Sequence, residues 1–235
     1  MEYIGITKNE IKELSETLLF DFFKHINTKG MTCIDIDGLA SFFGLAITYE
    51  NIAEADKNKV AFFSDGKKPL CVYRNGKASM VRFPANTIVI DNYLRRVDMS
   101  SKRRYTVAHE IGHYVLEKYG YSPADARFYN EYQSEHEYDL NDLRQLMSMN
   151  EAQANEIGAY FLMPEFLVRD YASAHFKNGK IPLYGEYLLS VDTKQKIWGI
   201  ADKLGVSFGA LMIQFKKFDM FDHFPAEAFC REAMV

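Results

Sequence analysis

Between residues 9 and 27, NEIKELSETLLFDFFKHIN sets Ile11, Leu14, Leu18, Leu19 and Phe22 along one stripe with charges opposite, which predicts a first amphipathic helix. Past Gly30, Asp35 and Asp37 offer N-caps to a short helix that breaks at Gly44, ahead of the strand-like LAITYE. From Val60 to Asp91 the pattern changes to short apolar runs separated by turn residues: VAFFS, LCVYR, ASMVRF and TIVIDN. Asn75-Gly76 is the strongest turn signal among them, because that pair accepts positive φ at both central positions of a hairpin. A small, mainly antiparallel sheet is expected.

Helical spacing returns after Ser100 and Ser101, either of which can cap a helix through Tyr105, Ala108, Ile111, Val115, Leu116 and Tyr119 that stops at Gly120. Residues 121–149 break the pattern: they are polar and tyrosine-rich, with Glu131, Glu135, Glu137, Asp139 and Asp142 around His136, and a surface excursion is expected there. A second strong helix, NEAQANEIGAYFLMP, has Asn150 as its cap and is ended by Pro164, whose ring cannot continue the turn. The Gly/Pro-rich stretch from Lys177 to Gly185 reads as a loop. The C-terminal TKQKIWGIADKLGVSFGALMIQFKKF reads as two helices broken near Gly205, with a helix-turn-helix rhythm from Ala201. Its second helix clusters only Lys216 and Lys217, too few cations for a phosphate-reading face, so packing is expected there and DNA contact is not.

Composition narrows the class. A formal charge of −4 disfavours a nucleic-acid binder, which needs a basic face to displace counterions. Cys33, Cys71 and Cys230 are odd in number and lack paired spacing, so they suggest neither a disulfide framework nor a cysteine metal cluster and read as reduced thiols. The opening MEYIGITKNE lacks the basic start and apolar run of a signal peptide, and no segment approaches the roughly 18 apolar residues of a membrane span. A cytoplasmic protein with no membrane partner is expected. The 18 Phe and 15 Tyr are read as core and groove filling, with a partner-binding surface as the alternative.

The chemistry concentrates in TVAHEIGHYVLEKYG, Thr106 to Gly120. Four residues advance a helix by about 400°, so His109 and His113 leave the same face one turn apart and can turn ring nitrogens toward one ion. Glu110, between them in sequence, suits a general base acting on water. Two structural core histidines are the bland rival. A metal site of this type needs a third protein ligand. The extended form HExxHxxGxxH is excluded, because Leu116 and Tyr119 occupy the positions of its Gly and His. A glutamate from a second helix is the other solution, and Glu151 meets it. Asn155, one turn on, can accept the free N–H of His109 or His113 and hold the ring. Gly158 and Ala159 are small enough to let two helices approach. Alone, Glu151 would read as a first-turn glutamate favouring the helix dipole. His136, Glu135 and Glu156 are its substitutes as ligand, His136 foremost.

The pairing of HEIGHYVLE with NEAQANEIGAYFLMP resembles the ImmA/IrrE family of zinc metallopeptidases over roughly residues 33–215. The short helix and strand, the β-region ending in TIVIDN and the Ser-Lys-Arg-Arg lead-in fit the same layout. The resemblance implies an α+β, zincin-like fold, with an N-terminal helix in 1–32, a metallopeptidase core in 33–176 carrying an insertion at 121–149, and a C-terminal helical region in 177–235. It implies Zn2+ held by His109, His113 and Glu151, with Glu110 as general base. It further implies a cytoplasmic endopeptidase whose substrate is a protein, commonly a helix-turn-helix repressor of a mobile element or stress regulon. The rival from another class is a zincin-like binding module that sequesters a repressor or toxin partner with little proteolysis. A tyrosine or histidine that steadies the developing oxyanion is not picked out among so many tyrosines.

Overall fold

Helix α1 (Lys8–Phe23) starts where Thr7 and Glu10 close a reciprocal capping box, the Glu10 carboxylate accepting the Thr7 backbone N–H at 2.8 Å. It buries Ile11, Leu18, Leu19 and Phe22, as the stripe requires, and ends at Phe23, short of the Asn27 to which the polar-apolar pattern extends. The computed structural model describes residues 6–53, 60–120 and 149–232. Two compact units emerge from it: Met1–Lys29 with Asp35–Phe161, and Gly30–Ile34 with Leu162–Val235.

In the first unit Asp35 caps α2 (Ile36–Phe42), accepting the Gly38 N–H at 3.0 Å. Asp37 does not cap the helix; its two oxygens take the Arg103 guanidinium at 3.0 and 2.7 Å. Gly44, at φ 75°, then turns the chain into β1 (Ala46–Glu50). With β2 (Ala61–Ser64) and β5 (Thr87–Asp91), β1 forms a sheet in the order β1-β5-β2, where β5 runs parallel to β1 and antiparallel to β2. The central strand β5 is buried from Thr87 to Ile90, which explains its unbroken apolar run. The hairpin of β3 (Leu70–Arg74) and β4 (Lys77–Val81) turns through Asn75 and Gly76 at φ 52° and 74°. Leu70 and Val72 seat it on Phe62, Phe83 and Val89.

Past β5, Asp91 caps a 3-10 turn (Asn92–Arg95), a second such turn follows, and α3 (Ser100–Lys118) begins directly. Met99 takes the N-cap position with no side-chain bond, so neither Ser100 nor Ser101 is the cap: the preceding turn already carries the chain into the helix. The second long helix, α4 (Met149–Leu162), contains Asn150 as a buried helical residue instead of a cap. The expected surface excursion, apart from Met149, lies outside the described residues.

The second unit continues from Pro164, the N-cap of α5 (Glu165–His175). The stretch read as a loop holds a strand instead, β6 (Ile181–Tyr184), parallel to β7 (Phe221–Phe224) with Ile181 opposite Phe221. Both strands of a two-stranded sheet are edges, where Pro182 is tolerated. Between them α6 (Val191–Leu204) and α7 (Phe208–Lys217) are separated by Gly205 at φ 66° and the Ser207 cap, and α8 (Ala226–Glu232) closes the unit. Ile197, Ile200, Leu204, Leu211 and Phe215 are fully buried, so these two helices spend their apolar faces on packing. Among the described residues no helix is long and apolar enough to cross a membrane.

Candidate metal centre

Helices α3 and α4 meet backbone to backbone. A Cβ added at Gly112 would stand 2.5 Å from the Ala154 carbonyl oxygen, and one added at Gly158 would stand 3.0 Å from the Ala108 carbonyl carbon and the His109 nitrogen. Only glycine fits such an approach. The seam covers one face of α3, and α2 and β2 pack on the helix as well, so it is buried on every side from Thr106 to Gly112 even though that stretch contains a histidine and a glutamate. Polar groups enclosed in this way cost free energy unless partners satisfy them.

The partners come from α4. His109 Nε2 lies 3.3 Å from Glu151 Oε2, and His113 Nε2 lies 3.2 Å from Glu151 Oε1. The two Nε2 atoms are 3.0 Å apart, with the rings edge to face. On the far side of its ring, His109 Nδ1–H donates to Asn155 Oδ1 at 2.8 Å. An amide oxygen can only accept, so Nδ1 carries a proton and Nε2 is the ring nitrogen that faces His113 and Glu151. The same Asn155 oxygen accepts the Tyr105 hydroxyl at 2.5 Å. Glu110 follows His109 on α3 and is 3% exposed.

Electrostatics bind the group further. Burial penalises a charged His109 ring, but the hydrogen bond to Glu151 and the charges of Glu110 and Glu151 outweigh it and raise the His109 pKa above its usual value. Burial likewise penalises the Glu151 carboxylate, yet its hydrogen bonds to His109 and His113 bring its pKa down to about 2. Two ring nitrogens and a carboxylate facing one another are also a donor set suited to a cation.

The donor set tests which cation. Tetrahedral zinc with bonds of about 2.0–2.1 Å to nitrogen and oxygen places neighbouring donors roughly 3.3 Å apart. The two Nε2 atoms stand 3.0 Å apart and each lies 3.2–3.3 Å from a different oxygen of Glu151, with one donor atom from each residue within 4.8 Å of the others, so two imidazoles and one carboxylate stand close enough to converge on one such ion. Among the described residues His109, His113 and Glu151 form the one group of this kind.

The peptidase M78 family model, the IrrE N-terminal-like domain, matches residues 43–216, most of the chain. The chain belongs to this family. A comparison with curated proteins found no match. Membership of the IrrE N-terminal-like family gives the domain a metallopeptidase-like character, and the His-His-Glu group agrees with the HExxH-plus-glutamate pattern. Of the residues singled out in the sequence, the structure brings together His109, His113, Glu151 and Asn155, and buries Glu110 next to His109 on α3. Glu156, a substitute ligand, is not among the grouped donors. His136 and Glu135 lie outside the described residues. Sequence reasoning does not single out Tyr105 for the site. A signal is present in its spacing, four residues before His109 on the same helical face, but tyrosine there also fits an apolar stripe.

Proposed function

We propose that this protein is a zinc-dependent endopeptidase that hydrolyses a peptide bond in a cytoplasmic protein, a helix-turn-helix transcriptional repressor of a mobile element or stress regulon. The convergence of His109, His113 and Glu151 beside Glu110 carries the peptidase reading. The family resemblance supports the repressor as substrate. Zinc, when bound by those three side chains, supplies Lewis acidity that makes a water more acidic and polarises a carbonyl. Glu110 takes a proton from the attacking water at its carboxylate as the new C–O bond forms, and returns it to the amine nitrogen as the C–N bond breaks. His109 keeps its Nδ1 proton on Asn155 throughout, so its other nitrogen stays committed to the metal. The buried wall of α3 around Glu110 limits the water that competes for that proton.

The test compares zinc-loaded wild type with Glu110→Gln on candidate repressors encoded nearby, with fragments identified by mass spectrometry. Wild type should release defined fragments, while Glu110→Gln should retain zinc and cut at least about 100-fold more slowly, the lower range for loss of a general base. Tight binding of a repressor by both proteins with no cleavage by either would reject the peptidase in favour of a sequestering module.

A further inference from the structure

Tyr105 stands one helical turn before His109, half-buried, its ring inclined only 24° to the imidazole with centroids 6.4 Å apart. Its hydroxyl and the His109 Nδ1–H both donate to a single atom, Asn155 Oδ1. We propose that Tyr105 is a positioning residue of the metal centre, acting through Asn155 to hold the His109 imidazole in the tautomer and orientation that present Nε2 to a cation.

A side-chain amide has two faces of opposite sense. With its oxygen toward His109 it demands a proton on Nδ1; turned over, its NH2 group would demand a lone pair there and move the proton to Nε2. That second state would place an N–H where His113 and Glu151 already converge, 3.0 and 3.3 Å away, and would close the nitrogen to a metal. Asn155 is only partly buried, so packing alone does not fix the rotation of its amide. The Tyr105 hydroxyl biases it: a phenol donates more strongly than it accepts, so the orientation with Oδ1 toward both Tyr105 and His109 is favoured. Tyr105 supplies that donor from the helix that carries His109, so tyrosine, amide and imidazole are held in one rigid register. Hydrogen bonds to a ligand histidine commonly change metal affinity by about 10- to 100-fold, and Tyr105 acts one bond further out.

This inference rests on the His-His-Glu group being a zinc site, and its test separates the two. Zinc affinity is measured by competition with a chromophoric chelator for wild type, Tyr105→Phe, Asn155→Ala and the double variant, with the melting temperature of each metal-free protein alongside. Tyr105→Phe keeps the ring and its packing and loses only the hydroxyl. It should bind zinc about tenfold more weakly with an unchanged metal-free melting temperature. The double variant should match Asn155→Ala within about twofold, because the hydroxyl has no route to the ring once the amide is gone. In zinc-loaded, 15N-histidine-labelled wild type, the His109 Nδ1–H should give a resonance protected from solvent exchange, and Tyr105→Phe should lose that protection. Unchanged zinc affinity in Tyr105→Phe, or independent losses that multiply in the double variant, would overturn the role of Tyr105 and leave the zinc site standing. A wild type that binds no zinc would overturn both.

Discussion

His109 must serve two masters, a proton in the metal-free protein and a metal in the loaded one. Its pKa is raised against the cost of burial by Glu151 and Glu110, so without metal it tends to carry the charge that Glu151 answers. A raised histidine pKa stabilises the fold fully below the unfolded value of about 6.5, and the contribution is lost as pH climbs through the folded value. Glu151, held down to about 2, stays ionised over that whole range and would lose its contribution only as pH fell through that value. The stability gap between zinc-free wild type and zinc-free Glu151→Gln should therefore narrow as pH climbs from about 6.5 through the raised folded value. Zinc must displace the same proton, so its affinity should strengthen over the same interval. Denaturant melts at a series of pH values measure the first trend and chelator competition the second. A gap that widens with pH would remove the His109–Glu151 pair as a stabilising contact. At this scale the sequence is legible wherever helical arithmetic suffices: the four-residue step puts His109 and His113 together, and the same step puts Asn155 behind Glu151. It does not specify which histidine Asn155 holds, because that depends on the angle at which α4 crosses α3.

That crossing is set by glycine. Gly158 is readable as a small residue on the facing side of its helix, whereas Gly112 lies hidden inside the HEIGH motif, where the metal chemistry draws the eye first. A methyl group at Gly112 would press on the Ala154 oxygen at 2.5 Å and its Cα at 3.0 Å, both backbone atoms that cannot rotate away. Gly112→Ala should thus cost about 1–3 kcal/mol through overpacking, only partly offset by the roughly 1 kcal/mol that alanine gains over glycine in a helix. It should weaken zinc binding as well, since α4 carries Glu151 away as it moves. Gly199→Ala in α6 is the control: beyond its chain neighbours and its own helix backbone nothing lies within 4 Å of the added Cβ, so the variant should gain about 0.5–1 kcal/mol and leave zinc affinity alone. Equal effects of the two substitutions would show that the close approach does not govern the site. Strands are harder to read than helices for a related reason. Their partners are remote in sequence: β6 pairs with β7 some forty residues on, and β1 with β5 across a similar interval, so no local pattern announces them.

At the scale of the molecule, the donors come from helices separated by residues 119–148 in sequence, yet all three belong to one compact unit. Composition and charge can exclude classes of function, and the paired motifs can name a family, but neither can show two rings and a carboxylate meeting within 4.8 Å. That convergence has a thermodynamic consequence, because an unfolded chain does not hold His109, His113 and Glu151 together. Zinc held by these side chains would bind the folded state selectively, and at 100 times its dissociation constant it should add about 2.7 kcal/mol of stability. For a chain of this size, with melting shifts of about 2–4 °C per kcal/mol, the transition of the unit containing α3 and α4 should rise by roughly 5–10 °C. Calorimetry with and without zinc measures the shift, and chelator should reverse it. In Glu151→Ala the shift at the same zinc concentration should collapse, because two imidazoles alone bind the metal far less well than the complete set. A full shift retained in that variant would deny Glu151 the role of ligand and direct the search to His136.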